Sequence, residues 1–158
     1  MLAPVDENAL SDHVKAFLKQ ELTDSGIVLN REVEVGRVPG APVGRRTDIK
    51  IDAVRRGENG EAYDTIVAVI ETKGCWNAEL FTAIQTQLRD DYLKRLGAPL
   101  GIYLVGWFDK AKWDASDSRR KRAPSLDLAA ARHLLDEKAV ELSKGYIVRA
   151  IVLDCHAP

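Results

Sequence analysis

Asp48, Glu71 and Lys73 carry the clearest chemical signal in this chain. Glu71 and Lys73 lie in Ile70-Glu71-Thr72-Lys73-Gly74, at the end of an apolar run. Side chains alternate along a strand, so these two point to one face. At an exposed strand edge they would be a surface ion pair worth little. The preceding run TIVAVI speaks instead for a central strand, and a charged pair at the end of one lines a cleft. Asp48 belongs to RTDIKIDAV, residues 46–54, and a polar, glycine-containing turn joins that segment to the Glu71 strand, so the pair reads as a hairpin. Across such a ladder Asp48 approaches Glu71. Two carboxylates held together repel unless a cation lies between them. A hard divalent ion, Mg²⁺ above all, takes such oxygen ligands, polarises a phosphate and acidifies bound water. Lys73 would orient or deprotonate that water, or offset the phosphate charge.

The elements that must hold these groups are legible from periodicity. Residues 5–23 form a helix with Leu10, Val14, Phe17, Leu18 and Leu22 as its apolar stripe, capped by Asp6 or Ser11 and ended by Ser25-Gly26. Residues 27–35 alternate as a half-buried strand, and a Gly- and Pro-rich loop runs from Gly36 to Gly44. In residues 46–54, Ile49, Ile51 and Ala53 face one way; Asp48, Lys50 and Asp52 face the other, with Asp52 read as structural or solvated. Residues 64–72 form a buried strand. Gly74 allows a sharp turn, and Asn77 caps a helix over residues 77–96 with Leu80, Ile84, Leu88, Tyr92 and Leu96 as its core face. A strand over 100–108, a charged loop over 109–126, a helix over 126–144 and a strand over 146–153 follow. Leu128, Leu134, Leu135, Ala139 and Leu142 form the core face of that last helix. The order implies an α/β fold: a strand meander and a parallel crossover in one mixed central β-sheet, flanked by helices.

The 158 residues suit one domain, and 46% hydrophobic with 30% charged residues is a soluble globular composition. No apolar run reaches membrane-spanning length, and the N-terminus carries no signal-peptide pattern. Cys75 and Cys155 form no CxxC pair, which points to a reducing cytoplasm; Cys75 reads as a small buried residue. The three histidines share no spacing and receive no role. With a formal net charge of -1, nucleic-acid binding would depend on local positive charge. Arg45-Arg46, Arg55-Arg56 and the run Arg119, Arg120, Lys121 and Arg122 supply it. Trp113 precedes the last run, as an aromatic for base stacking. Trp107 reads as core.

Asp48 followed by Glu71-Thr72-Lys73, on two adjacent strands and ahead of an amphipathic helix, resembles the PD-(D/E)xK nuclease signature. The order of elements over residues 5–108 is similar to the restriction endonuclease-like core; Thr47 stands where many members have proline. The resemblance implies a metal-dependent nuclease that hydrolyses phosphodiester bonds. It makes Asp48, Glu71 and the Thr72 carbonyl the metal ligands, with Mg²⁺ as cofactor and Mn²⁺ as its substitute, and Lys73 the catalytic lysine. Some members add a first-helix glutamate, for which Glu7 and Glu21 are the candidates. Others add a glutamine after the lysine, for which Gln85 and Gln87 are available, Gln87 preferred. The exonuclease-like form is Gln-x-x-x-Tyr, and Gln87 to Tyr92 is one residue longer. Family habit favours a DNA endonuclease over action on RNA, with a homodimer or higher oligomer for duplex cleavage and no membrane partner. Such a chain suits an effector domain of a larger protein, as in bacterial defence. The rival expectation is a catalytically inactive module of this fold that binds nucleic acid or a partner protein.

Overall fold

The computed structural model describes residues 3–23, 26–36 and 45–155. Helix α1 (Glu7–Glu21) leads into strands β1 (Ile27–Gly36), β2 (Arg45–Arg56) and β3 (Ala62–Gly74). Helix α2 spans residues 84–96: a π-helical stretch, Ile84–Leu93, then one α turn, Lys94–Leu96. Strand β4 (Leu100–Trp107), two short 3-10 turns (Lys110–Lys112 and Ser118–Lys121), helix α3 (Leu128–Leu142) and strand β5 (Ile147–Asp154) complete the chain. The loop expected from Gly36 to Gly44 lies, beyond Gly36, outside the described residues, as do Ser25 and His156. No helix is long and apolar enough to cross a membrane among the described residues.

The five strands form one mixed sheet in the order β1-β2-β3-β4-β5. The first three pair antiparallel, as the meander requires, and β3–β4 and β4–β5 pair parallel. From Ala68 onward both faces of β3 are covered, as a continuously apolar run requires; the expected buried strand over 64–72 is corrected at its start, where Asp64, Thr65 and Ile66 are exposed, Ile66 to 53%. On one face Val69 joins Leu80, Ala83, Ile84, Leu88 and Leu93 near α2, and Leu135, Ala139 and Leu142 of α3. On the other, Ile49, Ile70 and Leu104 pack with Val14 and Leu18 of α1.

Three further expectations need correction. The 77–96 segment begins with turns over residues 78–82 and then widens into a π-helix rather than running as a regular α-helix. After Ile84 and Leu88 it buries Asp91, Tyr92 and Leu93 together, and the step of five from Leu88 to Leu93 is one that a π turn accommodates. Phe17 of α1 is 60% exposed and Leu134 of α3 is 44% exposed. Each sits one position off the stripe that meets the sheet; α3 buries Ala131 and Leu135 in its place.

Candidate functional site

The site forms where the ladder between β2 and β3 stops. Their last paired residues are Ile49 and Ile70. One rung further, the Asp48 carboxylate takes over from main chain: its Oδ2 accepts the Thr72 amide at 2.7 Å and the Thr72 hydroxyl at 2.7 Å. The carbonyl of Thr72 lies on the same side of β3 as its amide, towards the gap left by β2. The expected hairpin thus brings Asp48 to Glu71-Thr72-Lys73.

Glu71 and Lys73 share the α2-facing side of β3 and are buried, Glu71 to 3% exposure. Lys73 Nζ donates to Glu71 Oε1 in a very short contact, while Glu71 Oε2 is buried with no partner. Burial, then the charge of Asp48, lifts the Glu71 carboxyl to about 7, against the pull of Lys73. For Lys73, burial acts downwards, yet the neighbouring charges of Glu71, Asp48 and Glu7 hold its ammonium above the ordinary lysine value. Directly across β4 from Glu71 stands Tyr103, fully buried, its Oη donating to the Leu80 carbonyl at 2.7 Å. Burial, with the carboxylate of Glu71 second, pushes that phenol upward, so it stays neutral.

Helix α1 delivers a third acid. Asp6 caps it by accepting the Ala9 amide at 2.7 Å. In the first turn, Glu7 Oε1 accepts from the Gly74 amide at 2.9 Å and from Asn77 Nδ2 at 2.8 Å. Of the two first-helix candidates, Glu7 is therefore beside the site, and Glu21 is exposed at the other end of the helix. Asn77 Oδ1 accepts the Glu79 amide at 2.8 Å, so it does cap the turn that follows β3. At Gly74 a Cβ would overlap the Trp76 ring, which accounts for glycine at that bend.

Gln87 is bonded within its own segment. Its Nε2 donates to Glu79 Oε2 at 2.6 Å, and with Glu79, Thr82, Thr86 and Tyr92 it lines a cavity of about 430 Å³. It makes no hydrogen bond with Asp48, Glu71 or Lys73. The one-residue excess between Gln87 and Tyr92 is taken up by the π-helix. Five residues are about 1.4 turns of an α-helix, but close to one turn where bonds run i to i+5. Both side chains consequently reach one cavity.

The basic segment lies at the same end of the sheet. Arg119 is stacked over Trp76, 4.8 Å from guanidinium carbon to ring centroid, and paired with Asp117 at 2.7 Å. Arg120 donates to the Lys110 carbonyl at 3.1 Å, whereas Lys121 and Arg122 are exposed. Trp113 corrects an expectation: it is buried to 3% exposure, its ring centroid 5.7 Å from that of Trp76 and 6.4 Å from that of Phe108. No face of it is open to a base, so its part is to brace the loop. Arg46 is exposed and makes a surface pair with Glu32 at 3.2 Å; Arg45 opens β2 opposite Gly36, its side chain outside what is described. Lys50 and Asp52 pair with each other and leave Asp48 alone. Cys75 is buried, and burial pushes its thiol up, which suits a structural residue.

Among the described residues no three His, Cys, Asp or Glu side chains stand together as a metal cage. The donor set is smaller: the Asp48 and Glu71 carboxylates and the Thr72 carbonyl. Glu71 fits a hard cation on two counts, a buried oxygen without a partner and a proton affinity raised by burial and then by the neighbouring Asp48 carboxylate. The contacts of Ser11 with Thr72, of Asn77 with Glu7 and of Tyr103 with Leu80 carry no sequence signal, since tertiary packing makes them. No protein-family model, curated protein or solved structure matches the chain.

Proposed function

We propose that this chain is a Mg²⁺-dependent nuclease of the PD-(D/E)xK, restriction endonuclease-like kind, hydrolysing phosphodiester bonds. The observation that carries the reading is the buried, unpartnered Glu71 Oε2 beside Asp48, with Lys73 in contact. Asp48, Glu71 and the Thr72 carbonyl would hold the ion. When bound, the ion supplies Lewis acidity to a phosphate oxygen and to a water. The chain's own residues set the rest. Thr72 keeps the Asp48 carboxylate aimed along the gap beside β2. Lys73 stays an ammonium at neutral pH, so it orients a water and offsets phosphate charge rather than accepting a proton. Glu7 holds the Gly74 turn and adds negative charge. Arg46, Arg119, Arg120, Lys121 and Arg122 supply phosphate contacts at the rim. DNA is the favoured substrate, from family habit alone, and cutting a duplex calls for two copies of the site.

A second reading is binding without cleavage. The closed Glu71–Lys73 pair and the lack of a three-acid cage among the described residues favour it. Plasmid and single-stranded DNA incubated with the protein in Mg²⁺, Mn²⁺ or EDTA separate the two. Nicking or linearisation in either metal, abolished by EDTA, by Lys73→Ala and by Asp48→Asn, is the expected result. Cleavage that survives EDTA or both substitutions overturns the nuclease reading; retention of DNA on a gel without cleavage selects the second.

A further inference from the structure

Ser11 is fully buried on α1, on the face that packs Val14 and Leu18 against Ile49, Ile70 and Leu104. A hydroxyl among aliphatic side chains is costly unless its hydrogen bonds are made. Ser11 Oγ donates to the Glu7 carbonyl at 2.9 Å and is in a very short contact with Thr72 Oγ1. Thr72 Oγ1 in turn is 2.7 Å from Asp48 Oδ2.

Counting protons gives this chain a direction. Each hydroxyl has one proton, and an ionised carboxylate has none. Thr72 must therefore donate to Asp48. The Thr72 oxygen then meets Ser11 only as an acceptor, so the single Ser11 proton is shared between Thr72 Oγ1 and the Glu7 carbonyl. The Glu7 carbonyl loses nothing by this, because a helical carbonyl already has the amide four residues on. Successive donors polarise one another and end on the anion.

We infer that Ser11 is a positioning residue for the site: the chain Ser11→Thr72→Asp48 locks the Asp48 carboxylate in one orientation and ties the seating of α1 to cation binding. The inference rests on the Mg²⁺ reading above. Sequence alone offers Ser11 only as a cap; the cap is Asp6.

The test is a Mg²⁺ titration without nucleic acid, read as the rise in Tm, on wild type, Ser11→Ala, Thr72→Val and Thr72→Ser. Ser11→Ala and Thr72→Val are expected to weaken Mg²⁺ about tenfold, as loss of a group behind a ligand does. Thr72→Ser, which keeps the hydroxyl, is expected to retain most of the affinity. In cleavage assays kcat falls for the first two and KM for DNA stays unchanged. The inference is overturned if Ser11→Ala titrates like wild type, or if Thr72→Ser is no better than Thr72→Val. If wild type itself gives no Mg²⁺ response, the nuclease reading fails separately. The relay is then judged on Tm losses of Ser11→Ala and Asp48→Ala, which share no hydrogen bond. Losses that add simply overturn it; a double variant losing less than the sum upholds it.

Discussion

Glu71 carries a charge that folding makes harder to hold. Its carboxyl ionises at about 7 in the fold against 4.5 as the reference value. Between those values the unfolded chain releases a proton that the folded chain keeps. Stability therefore falls as pH rises through that window, and the loss is complete above about 7. At 1.36 kcal/mol per unit the loss is on the order of 3 kcal/mol. Glu71→Gln removes it: calorimetric Tm of the variant is expected to exceed wild type at pH 8 and to lose that advantage near pH 4.5. Parallel Tm curves for the two proteins would mean that Glu71 ionises as an ordinary surface glutamate. The common face of Glu71 and Lys73 was legible in the sequence because a strand has a period of two, which needs no tertiary knowledge. The hairpin turn made Asp48 legible in the same way. The choice between Glu7 and Glu21 was not, because both lie on one helix and only its docking angle decides. Trp113 was misread for a related reason: aromatic residues in polar loops are as often braces as ligands, and the partners, Trp76 and Phe108, are distant in sequence.

Helix α1 acts as a clamp on the end of β3. Glu7 takes the Gly74 amide and Ser11 touches Thr72, one turn apart on the helix. Arg31 of β1 donates to the Asn8 carbonyl at 3.2 Å and pairs with Asp12, which ties the other side of the helix down. The seating depends on the cap. Asp6→Ala removes the acceptor for the Ala9 amide and is expected to cost about 1 kcal/mol. A Tm drop of about 2–4 °C is the corresponding signal for a domain of this size. Because Glu7 follows at once, the same variant is expected to lose activity beyond its loss of stability, measured as kcat well below the Tm. An unchanged kcat would separate the helix start from the site. Helix α2 shows where element reading fails. A stripe at steps of four suits an α-helix, and composition does not announce the extra residue in one turn; only the joint burial of Tyr92 and Leu93 reveals it.

The whole sheet is asymmetric at its margins, and β5 is an edge strand of eight residues without proline. Unpaired edges recruit further strands. Here α3 occupies the edge: Arg132 donates from Nε and Nη2 to the Val152 carbonyl at 3.2 and 3.1 Å, and Ser143 Oγ accepts the Val148 amide at 3.2 Å. Arg132→Ala frees one outward carbonyl beside the exposed Ile147, Ile151 and Leu153. Concentration-dependent self-association in light scattering is the expected outcome, with wild type unchanged over the same range. An Arg132→Ala protein that scatters like wild type would mean that Ser143 alone guards the edge. The class of fold was legible because strand and helix periods alternate along the chain. Edge protection was not, since Arg132 looks like any solvated arginine until β5 lies beneath it.

The carboxylate at position 48 replaces the next rung of the ladder between β2 and β3. Architecture and the proposed chemistry thus lean on one side chain. A descendant of this chain without the proposed activity would still need an acid there to keep the tip of β3 anchored, just as the buried Glu71 would still need its cationic partner at position 73. In any lineage of such chains, a surviving aspartate would speak for the scaffold and would not by itself speak for the proposed chemistry.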